Sequence, residues 1–325
     1  MPVILFILIS DMSILKIIVK TLLFVLVLAI LFASIVIIVP DQFGESYQRA
    51  IVRQYEWLKS VEKNKIVFIG SSSLAFGFDL DLMEELTQMP CVMLGNHYGD
   101  GLCFQMEMSK ANLKPGDTVV IEYMNYNMDS GEGELLLTGV GKNFGMYRFL
   151  TDTMRPLAAK AYPVYFSKNF NYWRDGGYHP DYPYCLDAFD ERGNMTYYRP
   201  DCWIPDPYTE EVQAIYHEAD FYAYKKNMDQ VFIQYLNEYV YYCQERGVSV
   251  YFTIPVFYDV AIDCAPEDIP EFQNVLSDAL DAPLISDYND YIFSREYIFD
   301  TISHCNTAGA ERRTRQLFED LKKYL

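Results

Sequence analysis

Two places in the sequence combine residue types that can do chemistry together. The first is Gly70-Ser71-Ser72-Ser73, directly after the apolar run Lys65 to Ile69 (KIVFI). A buried strand that ends in glycine and delivers serines into a turn can hold a hydroxyl nucleophile at the carboxyl edge of a sheet, with backbone N–H groups nearby to receive an oxyanion. The same serines can equally cap the next helix or satisfy a turn. The second place is Asp300-Thr301-Ile302-Ser303-His304-Cys305-Asn306, where one of only four histidines follows an acid by four positions. A carboxylate there can bind the imidazole nitrogen remote from a serine, fixing the tautomer and stabilising the imidazolium that forms. The alternative is a histidine at a helix entrance, with Asn306 as the cap and Asp300 in solvent.

The elements that must position these residues are readable from periodicity. Residues 45–62 carry Tyr47, Ile51, Tyr55 and Leu58 on one helical stripe, and 65–69 is a short strand. A helix over 81–88, a strand over 91–94, a glycine-containing segment over 95–101, a helix to about 111 and a strand over 118–123 follow. The turn at Lys114-Pro115-Gly116-Asp117 introduces the last of these. Residues 128–225 break the rhythm, being dense in Tyr, Asp, Gly and Pro, and read as an insertion with a turn at Phe189–Met195. Alternation returns with helices over 229–246, 270–280 and 307–325 and strands over 248–254 and 283–286. Strands alternating with helices predict an α/β fold with a mainly parallel sheet covered on both faces.

Thr21 to Val39 is nineteen residues without a charge, close to the roughly 20 that an α-helix needs to cross a bilayer. No A-x-A-like cleavage site precedes Pro40, so an uncleaved anchor over 21–39 is expected rather than a signal peptide. Lys16 and Lys20 precede the run and Asp41 and Glu45 follow it, which places residues 1–20 in the cytoplasm and 40–325 outside. Met12 has the look of an alternative start. With 26 Lys+Arg against 45 Asp+Glu the formal charge is −19, which argues against nucleic acid as a partner. The seven cysteines form no C-x-x-C pair and no zinc spacing, so a structural metal is not expected, and serine chemistry of the kind above implies no cofactor. Cys185 and Cys202 flank the turn in the insertion and are a candidate bridge in an oxidising compartment, although the pairing is not readable from spacing.

Taken in order, IVFIGSSSLAFGFD, the LG before a glycine-rich loop, KPGDTVVIEY and DTISHCNTAGAERRTRQL resemble the SGNH (GDSL-like) hydrolase superfamily. The likeness is to membrane-anchored bacterial branches associated with surface polysaccharide and cell-wall acyl groups, and it covers about 64–125 and 230–325. It implies a three-layer α/β/α domain in which Ser72 is the nucleophile, with Ser71 standing where aspartate is common. It further implies His304 as the base, Asp300 as its acid, and the N–H groups of Ser72 and Gly95 as oxyanion donors. Two departures stand out. The acid and histidine are spaced D-x-x-x-H rather than D-x-x-H, which weakens the assignment of Asp300. The third-block G-x-N-D is absent, with Tyr123-Met124-Asn125-Tyr126-Asn127 in its place, leaving Asn125, ahead of Asn127, as the side-chain donor or as a turn residue.

The expected function is that of an extracytoplasmic serine esterase or O-acyltransferase on acylated, notably acetylated, glycan, with a multi-pass membrane acyltransferase as a partner. The competing expectation is a noncatalytic glycan-binding or assembly component of a polysaccharide O-acetylation system. The altered third block favours the second; the coexistence of Ser72, Asp300 and His304 favours the first. His97, in the second-block loop, either contacts substrate or is structural, and the 28 tyrosines either stack on sugar rings or pack.

Overall fold

Short apolar runs punctuated by glycine and turn residues become strands, and the amphipathic stretches between them become helices. A computed structural model describes residues 2–123 and 131–325. In chain order the elements are α1 (Pro2–Ile38), α2 (Ala50–Ser60), β1 (Ile66–Gly70), α3 (Ser72–Gly77), α4 (Leu80–Thr87), β2 (Cys91–Gly95), α5 (Leu102–Ser109) and β3 (Thr118–Glu122). There follow α6 (Gly133–Val140), α7 (Met154–Arg174), α8 (Glu210–Tyr216), α9 (Phe221–Lys226), α10 (Gln230–Gln244) and β4 (Ser249–Thr253). The chain closes with β5 (Phe257–Tyr258), α11 (Asp268–Ala279), β6 (Ile292–Phe293) and α12 (Thr307–Leu321). Two compact units result, one from residues up to Gln42 with Phe166–Tyr178, the other from Phe43–Tyr165 with His179–Leu325.

In the first unit, Ile14–Ile38 of α1 is long and apolar enough to cross a membrane. At 1.5 Å per residue this stretch measures about 37 Å, beyond the roughly 30 Å of a hydrocarbon core. The helix starts well before the uncharged run, so Lys16 and Lys20 lie within it. Ser34 Oγ donates to the Ile30 carbonyl at 2.8 Å, which satisfies a hydroxyl that lipid cannot. Just past the helix, buried Asn169 accepts from the Gln42 N–H at 2.7 Å and donates to the Pro40 carbonyl at 3.0 Å.

The second unit holds the sheet. Its strand order is β2-β1-β3-β4, every pair parallel, and the register aligns Gly70 with Gly95 and Glu122 with Thr253. Ile66, Phe68, Cys91, Met93 and Val120 form one core with Leu74 of α3, Phe78 just after it, Leu80 and Met83 of α4, and Leu317 and Leu321 of α12. β1, β2 and β3 are buried along their whole length, which is why they read as continuous apolar runs. At the amino ends of the central strands β1 and β3, buried Lys65 Nζ lies 2.7 Å from Asp117 Oδ2, and Asp117 also accepts the Lys114 N–H at 2.8 Å, closing the Lys-Pro-Gly-Asp turn.

Two expectations are corrected. The stretch 283–286 is no strand but a single parallel bridge, Phe252 with Leu284, because Pro283 has no N–H to extend the ladder. The helix expected at 45–62 is continuous only over Ala50–Ser60, preceded by two short 3-10 turns. Among the described residues all seven cysteines are free; Cys185 is buried in a cluster with Tyr47, Phe76 and Phe189, and Cys202 is half-buried elsewhere. The Phe189–Met195 turn closes with one antiparallel bridge, its Asp190 side chain accepting the N–H groups of Arg192 and Asn194.

Candidate active site

β1 stops at Gly70 because the chain turns there without room for a side chain: a Cβ would lie 2.9 Å from Leu74 Cβ and 3.1 Å from Glu122 Cβ. The three serines that follow have three different jobs. Ser71 caps α3, its Oγ facing the Ser73 N–H at 3.4 Å, so the capping reading holds for this residue. Ser73 is buried and donates to Glu122 Oε1. Ser72 alone turns toward the C-terminal loop, where its Oγ lies 2.9 Å from His304 Nε2 across 232 residues of sequence.

His304 reaches that position from a short loop closed by the antiparallel bridge between Ile298 and Cys305. Within it the His304 N–H donates to Thr301 Oγ1 at 3.1 Å, and its carbonyl accepts the Phe299 N–H at 2.8 Å. His304 Nδ1 lies 2.8 Å from Asp300 Oδ1, both side chains being about nine-tenths buried. The four-residue spacing therefore still closes, because the backbone folds back over Thr301. A carboxylate only accepts, so Nδ1 carries the proton and Nε2 faces the Ser72 hydroxyl as acceptor. Tyr184 donates to the other oxygen, Oδ2, of Asp300. Burial first, and Asp300 second, push the Tyr184 phenol far above its ordinary range, which keeps it a donor.

The imidazole is also held by its face. The Phe76 ring stacks on it at 4.2 Å with an interplanar angle of 3°, and Phe76 stands one helical turn after Ser72 on α3, so a single helix carries both contacts. Arg199 lies 5.3 Å from the Phe76 ring centre and donates to the Phe76 carbonyl at 3.0 Å. Behind the serine turn, Arg313 of α12 pairs with Glu122 of β3, and also donates to the Ser73 carbonyl at 3.2 Å and the Ile254 carbonyl at 3.1 Å. Both side chains of this pair are fully buried. One guanidinium thus links the serine turn, β3 and the end of β4.

Gly95 ends β2 beside this turn. A Cβ there would lie 2.7 Å from Leu74 Cδ2, so only glycine lets α3 pack this closely, and the Gly95 carbonyl accepts from Gln54 Nε2 at 2.8 Å. In the following loop, Tyr47 Oη donates to the Asn96 carbonyl at 2.7 Å, and Asn96 Nδ2 donates to the Gln48 carbonyl at 3.0 Å. Burial raises the Asp100 carboxyl to about 8. Asn125, together with Asn127, lies outside the described residues.

A cleft of about 890 Å³ opens over Ser72, His304 and Asp300. Its walls include Tyr47, Tyr98, Tyr184, Tyr216 and Tyr224, with His97 from the loop after β2 and Glu218 from the insertion. The sequence signals missed Tyr184, Phe76, Glu122 and Arg313. A carboxylate closing an apolar strand and an arginine on the buried face of the last helix were the available hints for the last two, since buried charges require partners. Among the described residues no group of three or more His, Cys, Asp or Glu side chains is placed to hold a metal. No protein-family model matches the chain, and no curated protein matches it significantly.

Proposed function

We propose that this chain is a membrane-anchored, extracytoplasmic serine esterase or O-acyltransferase of SGNH type, acting on an acylated cell-surface glycan. The observation that carries the reading is the continuous relay from Ser72 Oγ to His304 Nε2 at 2.9 Å and from His304 Nδ1 to Asp300 at 2.8 Å. Neither capping nor a solvated loop calls for that alignment. Packing of α3, α4 and α12 on one face of an all-parallel sheet, with α2 and α5 against its strands, supports a three-layer arrangement of that type. The tyrosines around the cleft support a sugar, whose rings stack on aromatic faces, and Lys16 and Lys20 ahead of the apolar run support an outward-facing domain.

In this mechanism Ser72 Oγ bonds to the acyl carbon, its proton passes to His304 Nε2, and the carbonyl electron pair moves onto oxygen, which the N–H groups of Ser72 and Gly95 would receive. Collapse of that adduct breaks the ester C–O bond, and the leaving sugar oxygen takes the proton from His304. Water in an esterase, or a sugar hydroxyl in a transferase, then gives its proton to His304 as its oxygen bonds to the acyl carbon, and His304 returns that proton to Ser72 Oγ as the acyl–Ser72 bond breaks. A multi-pass membrane acyltransferase is the partner that would present acyl groups to such a site.

Reaction of the full-length protein with a serine-directed acyl-phosphonate tests the proposal. Labelling that maps to Ser72 and disappears in Ser72→Ala is expected. An unlabelled wild type, or equal labelling of both proteins, removes the nucleophile.

A further inference from the structure

The loop after β2 holds a histidine that the proposed relay leaves idle, and a role for it deepens the esterase or acyltransferase reading and rests on that reading. β1 and β2 run side by side in register and end together, Gly70 opposite Gly95. Ser72 lies two residues beyond the first glycine and His97 two residues beyond the second, so both leave the same edge of the sheet from neighbouring strands. Both also line the cleft that contains His304.

His97 has a fixed proton arrangement. Its Nδ1 accepts the Gly99 N–H at 2.9 Å, so that nitrogen presents a lone pair and the neutral ring carries its proton on Nε2. Its carbonyl accepts the Asp100 N–H at 3.1 Å, and the Tyr98 ring packs on the imidazole at 4.5 Å. Gly99 leaves no slack, since even a Cβ there would meet Leu135 Cδ1 at 2.4 Å and His97 Nδ1 at 3.0 Å. Burial first, with His304 nearby second, lowers the His97 pKa to about 4, so the ring is neutral at ordinary pH.

We propose that His97 is a catalytic residue of this cleft, its Nε2–H donating a hydrogen bond to the acyl carbonyl oxygen as Ser72 adds to the carbonyl carbon. A donor aimed at this oxygen gains strength as negative charge develops on it. A neutral imidazole suits the task, because His304 becomes a cation in the same step and a second cation beside it would be repelled. His97 transfers no proton: the Ser72 proton still goes to His304, and the hydrogen bond relaxes when the carbonyl re-forms.

The test uses full-length protein in detergent, hydrolysing para-nitrophenyl acetate. His97→Asn keeps a side-chain acceptor for the Gly99 N–H but withdraws the Nε2 donor, whereas His97→Gln reaches toward the Nε2 position with an amide N–H. For His97→Asn the expected kcat is about 100-fold lower with KM within about twofold, and His97→Gln is expected to regain about tenfold of that loss. Turnover of His97→Asn close to wild type overturns the assignment, as does a Gln variant as slow as the Asn variant. Circular dichroism follows the fold of both. If His97→Asn does not fold, the Gln variant decides alone: a kcat within about tenfold of wild type supports the donor and a larger fall refutes it. Ser72→Ala runs in parallel. An active Ser72→Ala sinks the acyl-transfer reading and this inference with it, whereas an inactive Ser72→Ala beside an unimpaired His97→Asn removes His97 alone.

Discussion

Ser72, His304 and Asp300 are ordinary side chains given unusual company. The imidazole is held on its edges by Ser72 and Asp300 and on its face by Phe76, which together fix its rotamer. Asp300→Asn should preserve the fold and lower kcat by about 10⁴-fold, because the amide neither stabilises the imidazolium nor enforces the tautomer. Tyr184→Phe removes one donor to the same carboxylate and should cost about tenfold, as expected for a single hydrogen bond to a charged group. Steady-state hydrolysis of an aryl acetate reads both. Asp100 offers a prediction of a different kind. Its folded pKa is raised to about 8 from an ordinary value of 3.8, so the folded state binds the proton more tightly than the unfolded chain. Its contribution to stability is present in full below pH about 4 and is lost as pH rises toward about 8. The melting temperature of Asp100→Asn should therefore gain on wild type between pH 5 and pH 8, and an unchanging difference would show that Asp100 does not titrate in that window.

The elements convert that chemistry into distance. Arg313 on α12 and Glu122 on β3 are 191 residues apart in sequence and fully buried together, and Ser73 joins them, so the serine turn is tied to two distant parts of the chain. Arg313→Met should cost about 3–5 kcal/mol in urea unfolding, since it strands a buried carboxylate, and adding Glu122→Gln should recover much of that loss. Additive losses in the double variant would deny the coupling. This scale also shows what the sequence displays and what it hides. Strands β1 to β3 are legible because fully buried parallel strands are unbroken apolar runs between turn signals, Ser72 stands out because it follows the first of them, and His304 and Asp300 because they directly precede the last helix. The helix α3 is hidden: six residues opening on Ser-Ser read as a turn. Tyr184 is hidden too, since the insertion that supplies it has no periodicity to place it. Glu122 and Arg313 each leave a hint, but their partnership is not readable, because no local rule joins residues that only the tertiary fold brings into contact.

The whole molecule joins an apolar helix to a strongly acidic chain, with the formal charge at −19. The apolar stretch Ile14–Ile38 should keep the protein in the membrane fraction through alkaline carbonate washing, and protease added to intact spheroplasts should digest the domain beyond residue 40. Complete protection would reverse the proposed orientation. If Ser72 and His304 act as one catalytic unit, the turnover of Ser72→Ala, His304→Ala and the double variant on an aryl acetate will show it. Residues that work as a unit are strongly non-additive, so each single variant should lose nearly all the activity and the double should be little worse. Near-wild-type turnover in Ser72→Ala, or losses that multiply in the double variant, would show that the two residues do not work together.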